Sequence, residues 1–423
     1  MSRILDVYLH ESLAGTLEQS PEGTLHFTYD LNYLQGTGPA ISVSMQLREQ
    51  RYDDPIARPF FSGLLPDERA RRRLAAALGV SERNAFGLLE IIGGECAGAL
   101  SLVPQGQSLP EFLIEETEAL SPQQLAEVLH ILRDRPLLGG EQGVRLSLAG
   151  AQDKLAVAVQ DNQITLPRDG RPTTHILKPF IEGLDGTVEN ELFCMTLARR
   201  LGFNVPKVSK GVAGDTPYIL IERYDRLHQP DGTIRKLHQE DFCQALSVAP
   251  ELKYEQEGGP GVEQAHSLIQ AQTRQPAADR LTFQRMLIYH YLVGNADAHA
   301  KNYALLYNEE TPDLAPLYDV ICTTAYPRLA KKMAMKIGGR DKADTLLLKN
   351  WQSLVPQTKG AQRLLSTELN KLASKIGPAA QALIDELAQE GITHAVLPRV
   401  HKIVRTRSRL LQEQTKNGAG TLI

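Results

Sequence analysis

Starting at Gly294 the sequence reads GNADAHAKNYALL, and further on LAPLYDVICTT. The first segment sets Asn295, Asp297, His299, Lys301 and Asn302 directly behind the apolar run LIYHYLV. Asp297 and Asn302 have the separation at which a phosphotransferase loop carries a carboxylate for the attacking hydroxyl and an amide for a metal ion. Asp319 in PLYDV, bracketed by apolar residues, stands where a second metal-binding carboxylate is expected. An Asp–x4–Asn pair also arises by chance, and an ordinary helix-ending loop has the same polar character. The weight therefore rests on what lies upstream.

Phosphoryl transfer asks the protein for a cation and backbone N–H groups on the nucleotide phosphates, divalent metal and one placed carboxylate. Lys178 ends the apolar run HILKPF, so a strand lysine facing a cleft is expected there. Glu189 and Glu191 open the following helix, and either can pair with that lysine, Glu191 being preferred. As first-turn acids both also suit the helix dipole. Ala149, Gly150 and Ala151 in SLAGAQDK allow backbone to approach a phosphate closely, although G-x-G-x-x-G is absent and a tight hairpin turn reads the same way. The backbone at Glu222 and Tyr224, at the end of ILIERYDR, is placed to meet an adenine edge. In this scheme Asp297 orients the hydroxyl and takes its proton, while Asn302 and Asp319 hold Mg²⁺. His299 has no second His or Cys at metal spacing and reads as a loop-structuring or phosphate-neighbouring group.

The elements that must position these residues follow from the hydrophobic pattern. LDVYLH, TLHFTYD and AISVSMQL alternate as short antiparallel strands, and from Pro59 to Leu102 the pattern is helical. QGQSLPEFLIEETEALSPQQ reads as a connection, followed by a helix with Ser121 as N-cap. RLSLAGAQDKLAVAVQ predicts two strands around a small-residue turn, ITLP and THILKPF continue the sheet, and TPYILIERYDR adds another strand. TVENELFCMTLARRLGF predicts a helix stopping at Gly202. Beyond about residue 236 helices dominate, with STELNKLASKI and AAQALIDELAQE as separate ones. Strands with one helix, then helices, give an α+β pattern of two lobes with a ligand cleft between them.

Composition narrows the class. At 423 residues the chain is too long for one compact core. A net charge of −4 makes no global case for nucleic acid. The four cysteines are far apart, without metal-ligand spacing, and read as buried thiols of a cytoplasmic protein. No apolar run reaches the roughly 18 residues that span a bilayer, so no membrane role is expected.

Taken in order, these motifs resemble the HipA family, the bacterial serine/threonine kinase toxins of HipA–HipB toxin–antitoxin systems. The likeness spans the chain: PFFSGLLPDE, AFGLLEIIGGECAGALSL, SLAGAQDK, HILKP, the ENE helix, LIERYDR, HQEDFCQAL, GNADAHAKN and LAPLYDV. It implies a protein-kinase-like fold with a HipA N-terminal subdomain (1–105), a strand-rich lobe with the phosphate loop and ATP lysine (106–228) and a helical lobe with the catalytic loop (229–423). It implies ATP and Mg²⁺ as cofactors, Asp297 as catalytic aspartate, Asn302 and Asp319 as metal ligands, Lys178 as the ATP lysine and Glu222 and Tyr224 as hinge. Gln239 and Tyr318 match further nucleotide-pocket positions, and Ser147 falls where the family carries an autophosphorylated serine that silences the enzyme. The partners implied are a HipB-like helix-turn-helix antitoxin, operator DNA through that complex, and an aminoacyl-tRNA synthetase, of the glutamyl type, as protein substrate. No HRD or DFG is present; NAD and YDV take their places. A small-molecule phosphotransferase of the same fold is the alternative, and a DNA-bound co-repressor role is compatible with the kinase. The basic stretches RLAKKMAMKIGGRDK and RVHKIVRTRSR, read as solvated helix faces, are where direct DNA contact would form.

Overall fold

A computed structural model describes residues 2–109, 119–141, 143–168 and 171–419. Part of the expected connection at 105–124 lies outside the described residues. The chain opens with a four-stranded antiparallel sheet ordered Leu25–Tyr29, Ser12–Gln19, Arg3–Leu9, Leu100–Pro104. Helices Asp54–Gly63, Glu68–Leu78 and Ala85–Ile92 lie in the sequence between its third and fourth strands. AISVSMQL forms no strand: it makes a single bridge, Ser42 to Met45, and its alternation is overridden by docking. Ser42 Oγ and Val43 N donate to Glu240 at 2.5 and 2.9 Å, and Glu240 lies in a distant part of the chain.

A second sheet carries the HILKP segment. Its five antiparallel strands run in the order Gln163–Thr165, Leu155–Gln160, His175–Pro179, Thr216–Glu222, Val208–Ala213. Alternation along His175–Pro179 divides the two faces. Leu177 enters a core shared with Leu5, Phe27 and Phe61 of the first sheet and its helices, whereas Ile176 and Lys178 line a cavity on the other side. Ile219 and Ile221 of the neighbouring strand belong to a second core, with helix Thr187–Arg200 and the helical remainder of the chain.

That remainder is built on helices Val262–Gln272, Pro276–Val293, Lys359–Gln389 and Val396–Ala419. The two helices expected over STELNKLASKI and AAQALIDELAQE are one helix of 31 residues that runs through Pro378. Proline removes one backbone donor, but the buried stripe of Leu365, Leu369, Leu372, Ile376, Ala380 and Leu383 is continuous across it and packs in the second core with the final helix. RLAKKMAMKIGGRDK is likewise not a helix face: it is a hairpin, Lys332–Ile337 with Arg340–Lys342, turned by Gly338 and Gly339 at φ +52° and +78°. The four cysteines are buried free thiols. Among the described residues no helix is long and apolar enough to cross a membrane.

Candidate active site

Helix Pro276–Val293 ends at Gly294, whose φ of +80° and close neighbours exclude any side chain; a Cβ there would stand 2.2 Å from Thr324 Oγ1. The chain then folds back on itself. Asn295 Oδ1 accepts from the Asp297 amide at 3.0 Å, Asp297 O accepts from the His299 amide at 2.8 Å, and Asn302 Oδ1 accepts from the same amide at 3.1 Å. These bonds present the Asp297 carboxylate to the cavity, where the Tyr254 hydroxyl donates to it at 2.9 Å. The carboxylate stays open to the cavity, yet the surrounding protein pushes it up to about 6, with the Tyr254 bond and the Lys253 charge opposing that rise.

The opposite wall is organised by helix Thr187–Arg200. Consecutive helical residues point about 100° apart, and Glu189, Asn190 and Glu191 use this to reach three different partners. Glu189 Oε1 lies 2.5 Å from Lys210 Nζ, away from the cavity. Glu191 Oε1 lies 2.7 Å from Lys178 Nζ, which also donates to Asp319 Oδ1 at 2.6 Å. Of the two acids considered for the lysine, the structure therefore pairs Glu191. Burial alone would lower the Lys178 ammonium, but Asp319 and Glu191 outweigh it and hold it charged. For Asp319 burial acts upward, and Lys178 with Lys154 drives the carboxyl well below the usual range. Asp319 has φ +57°, a left-handed conformation that aspartate tolerates better than most residues.

Lys178, Glu191, Asp297, His299, Asn302 and Asp319 line one cavity of about 540 Å³ together with Ala149, Gly150, Ala151, Glu222, Tyr224, Gln239 and Tyr318. Its apolar contribution comes from Ile176, Ile221 and Ile321 and from the rings of Tyr224 and Tyr318, whose centroids are 5.6 Å apart. Tyr224 is fixed by its hydroxyl, which donates to Gln239, and by a buried ion network around it. In that network Asp225 accepts from Arg223, from Gly98 N and from Gln239, and Arg226 donates to Glu95 at 2.8 Å. Glu189 and Ser147 lie outside the cavity lining.

The donor set suits a cation that completes its shell with phosphate and water. Among the described residues no three His, Cys, Asp or Glu side chains converge as a protein cage, whereas Asp319 and Asn302 stand together, Asn302 Nδ2 donating to Asp319 Oδ2 at 2.8 Å. Two side-chain oxygens plus phosphate is the coordination Mg²⁺ favours over a dedicated cage. Asp319 is open on its cavity side, and Asp319 with Asn302 would hold the ion.

Comparison with known proteins shows the family. Residues 5–103 match the HipA N-terminal domain and residues 146–393 the HipA-like C-terminal domain. The chain belongs to the HipA family. It is 38% identical to the putative kinase Y4mE of Sinorhizobium fredii, covering 97% of this chain and 99% of that one. It is 29% identical to the serine/threonine-protein kinase toxin HipA of Shewanella oneidensis, covering 90% and 89%. A solved complex of Shewanella oneidensis HipA, HipB and operator DNA aligns with a TM-score of 0.83 at 25% identity over 98% of both chains.

Three groups of this HipA-family site escaped the sequence reading. Lys154 Nζ donates to Ala149 O at 2.6 Å, within SLAGAQDK; burial and the nearby Lys178 push its ammonium down to about 8. A lysine directly behind a run of small residues was the available signal. Tyr254 reaches Asp297 from a segment with no motif of its own. Asn190 brackets Cys322, its Oδ1 accepting from Cys322 N at 2.8 Å and its Nδ2 donating to Cys322 O at 3.1 Å. It thereby ties the segment carrying Asp319 to the helix carrying Glu191. Asn190→Ala strands the buried Cys322 N–H and leaves Cys322 O only its 3.3 Å bond from Ala325 N, so stability should fall by about 1–3 kcal/mol, read from urea unfolding midpoints.

The loop around Ser147 also differs from expectation. Only Leu155–Gln160 is a strand; the segment before the turn pairs instead with the N-terminal region, Leu146 with Glu95 and Gly150 with Pro66. Ser147 is fully buried, one residue before the cavity-lining Leu148, and its hydroxyl donates to Leu64 O at 2.7 Å.

Proposed function

We propose that this HipA-family kinase is the toxin of a toxin–antitoxin pair, transferring the γ-phosphoryl group of ATP to a serine of an aminoacyl-tRNA synthetase, of the glutamyl type, and so arresting translation. The observation that carries the phosphotransfer reading is the Lys178–Glu191–Asp319 cluster facing Asp297 across one cavity. The serine oxygen bonds to the γ-phosphorus as the bond to the β,γ-bridging oxygen breaks. Asp297 accepts the serine proton, and ADP leaves with the bridging oxygen. Lys178 supplies charge to the α- and β-phosphates, and Glu191 holds that ammonium in place. Backbone at Ala149, Gly150 and Ala151 approaches the phosphates, and backbone at Glu222 and Tyr224 meets the adenine edge, with Gln239 and Tyr318 beside it. Asn302 and Asp319 would hold Mg²⁺, which would neutralise charge on the phosphate oxygens.

Phosphorylation of Ser147 is the off-switch in this reading. A buried hydroxyl bonded to Leu64 O has no room for a dianion, so the phosphorylated loop must lie outside the site. The Shewanella oneidensis protein is solved with HipB and operator DNA, which supports a HipB-like antitoxin and operator DNA as partners here. Exposed Arg399, Lys402, Arg405 and Arg409 on the last helix are the candidates for direct phosphate contact.

Expression in a bacterial host should arrest growth, and co-expression of a small helix-turn-helix partner should relieve the arrest. Purified protein with ATP and Mg²⁺ should gain one phosphate on Ser147, read by mass spectrometry, and should modify glutamyl-tRNA synthetase in a panel of synthetases. Harmless expression of an enzyme active in vitro would exclude the toxin reading, and an unmodified panel would exclude that substrate class.

A further inference from the structure

Between helices Asp54–Gly63 and Glu68–Leu78 the chain passes from the loop of Ala149–Ala151 to the loop of Asp297–Asn302, touching both. Its backbone holds the first. Leu64 O accepts from Ser147 Oγ at 2.7 Å, Asp67 N donates to Gly150 O at 3.1 Å, and Pro66 pairs with Gly150 in a parallel bridge. Its side chains hold the second. Asp67 Oδ1 lies 3.0 Å from Lys301 Nζ and Oδ2 lies 3.5 Å from Lys253 Nζ, while Glu68 Oε1 lies 2.8 Å from Lys253.

Both lysines lead directly to the chemistry. Lys301 stands between His299 and Asn302, its ammonium near Asp67, Asp241 and Gly63 O. Lys253 O accepts from Ala300 N at 3.3 Å, and the next residue, Tyr254, donates to Asp297. Asp67, Lys253 and Lys301 are all buried. Glu68, at the turn into the second helix, has a left-handed φ of +47°, a conformation a non-glycine residue keeps only when its surroundings hold it there. A buried ion cluster is a weak source of stability, because desolvation offsets most of the attraction. What it does supply is a defined separation between the groups it joins.

We propose that Asp67 is a positioning residue: its backbone grips the phosphate loop and its carboxylate holds Lys301 of the catalytic loop together with Lys253 of the segment packed behind it, fixing the spacing at which ATP's γ-phosphate meets the acceptor. The N-terminal region is thus a working part of the active site. The proposal rests on the reading of Asp297–Asn302 as the catalytic loop.

Asp67→Asn keeps the backbone bond to Gly150 and removes only the carboxylate charge. It should lower kcat by about 100-fold, the scale of an ångström-sized misplacement, while KM for ATP stays near wild type. In a Lys301→Met background the same substitution should cost less than about tenfold, because the group it acts on is gone. That second comparison also serves if Asp67→Asn alone does not fold, since the double variant leaves no unpaired Lys301 charge. A kcat within about threefold of wild type, or an equal loss in both backgrounds, overturns the proposal. Asp297→Asn is measured in parallel. If it retains transfer, the reading of the site itself fails; if it abolishes transfer while Asp67→Asn is silent, only the positioning role fails.

Discussion

Asp297→Asn is expected to lower kcat by on the order of 10³-fold, the scale of losing a placed general base, with ATP binding intact. The amide fills the same space and still accepts from Tyr254, so the loop built on Gly294, Asn295 and His299 has no reason to move. What disappears is the proton acceptor. The wild-type pH dependence follows from the same environment. Burial raises the Asp297 carboxyl to about 6, and only its ionised form takes a proton. Transfer measured as kcat/KM should therefore be low below about pH 6, rise through it and level off above. A profile flat down to pH 4.5 would mean that Asp297 does not act as the base.

Lys178→Met should have the second large effect, on both activity and stability. Lys178 and Glu191 have side chains 5% and 4% exposed, and Asp319 shares the same ammonium from a more open position. Removing the ammonium strands the Glu191 carboxylate beside Asp319 in a dry wall, a loss of about 3–5 kcal/mol for one broken buried pair. The sign of its pH dependence is fixed by the charges. Glu191 is already pushed upward by burial, with Lys178 as the main opposing charge. Without that lysine its folded pKa rises further. A carboxyl raised above its unfolded value loses stability as pH climbs from the unfolded pKa toward the folded one. The gap between variant and wild-type melting temperatures should widen from pH 5 to pH 8, and an unchanging gap would contradict the assignment of Glu191 as the stranded group. Phosphotransfer should be lost across the whole range.

Much of this cavity was legible because residue type and short-range spacing carry it. Lys178 ends an alternating strand, so its direction follows from Leu177 pointing into the core. Between Glu189 and Glu191 the local pattern supported only a preference for Glu191. Both occupy the first turns of one helix, and only the packing of that helix on the sheet decides which faces the lysine and which meets Lys210. Asp67 and Asn190 were illegible for a different reason. Their partners are Lys301, Lys253 and the Cys322 backbone, separated by more than a hundred residues, and no local period records such a contact. The loop at Ser147 failed through the same long range: a hairpin was the local solution, but pairing with Glu95 and Pro66 displaced it. In AISVSMQL the alternating pattern failed for burial as well as for strand, because Ser42 is buried to serve Glu240 while Leu47 is exposed.

The core shared by the first sheet and the second bears on synthesis. Leu5, Phe27 and Phe61 belong to one apolar cluster with Leu155, Val157 and Leu177. A nascent chain that has emerged only to the end of the first sheet holds apolar surface whose cover has not yet been made. Roughly 70 further residues must follow before Leu177 arrives, about 4–14 s at ~5–20 residues per second. During that interval the N-terminal region is a client for whatever binds exposed apolar segments, and codons that slow the ribosome between the two sheets would lengthen its exposure. The yield of folded kinase should depend on elongation rate over that stretch more than on the rate over the helices that follow.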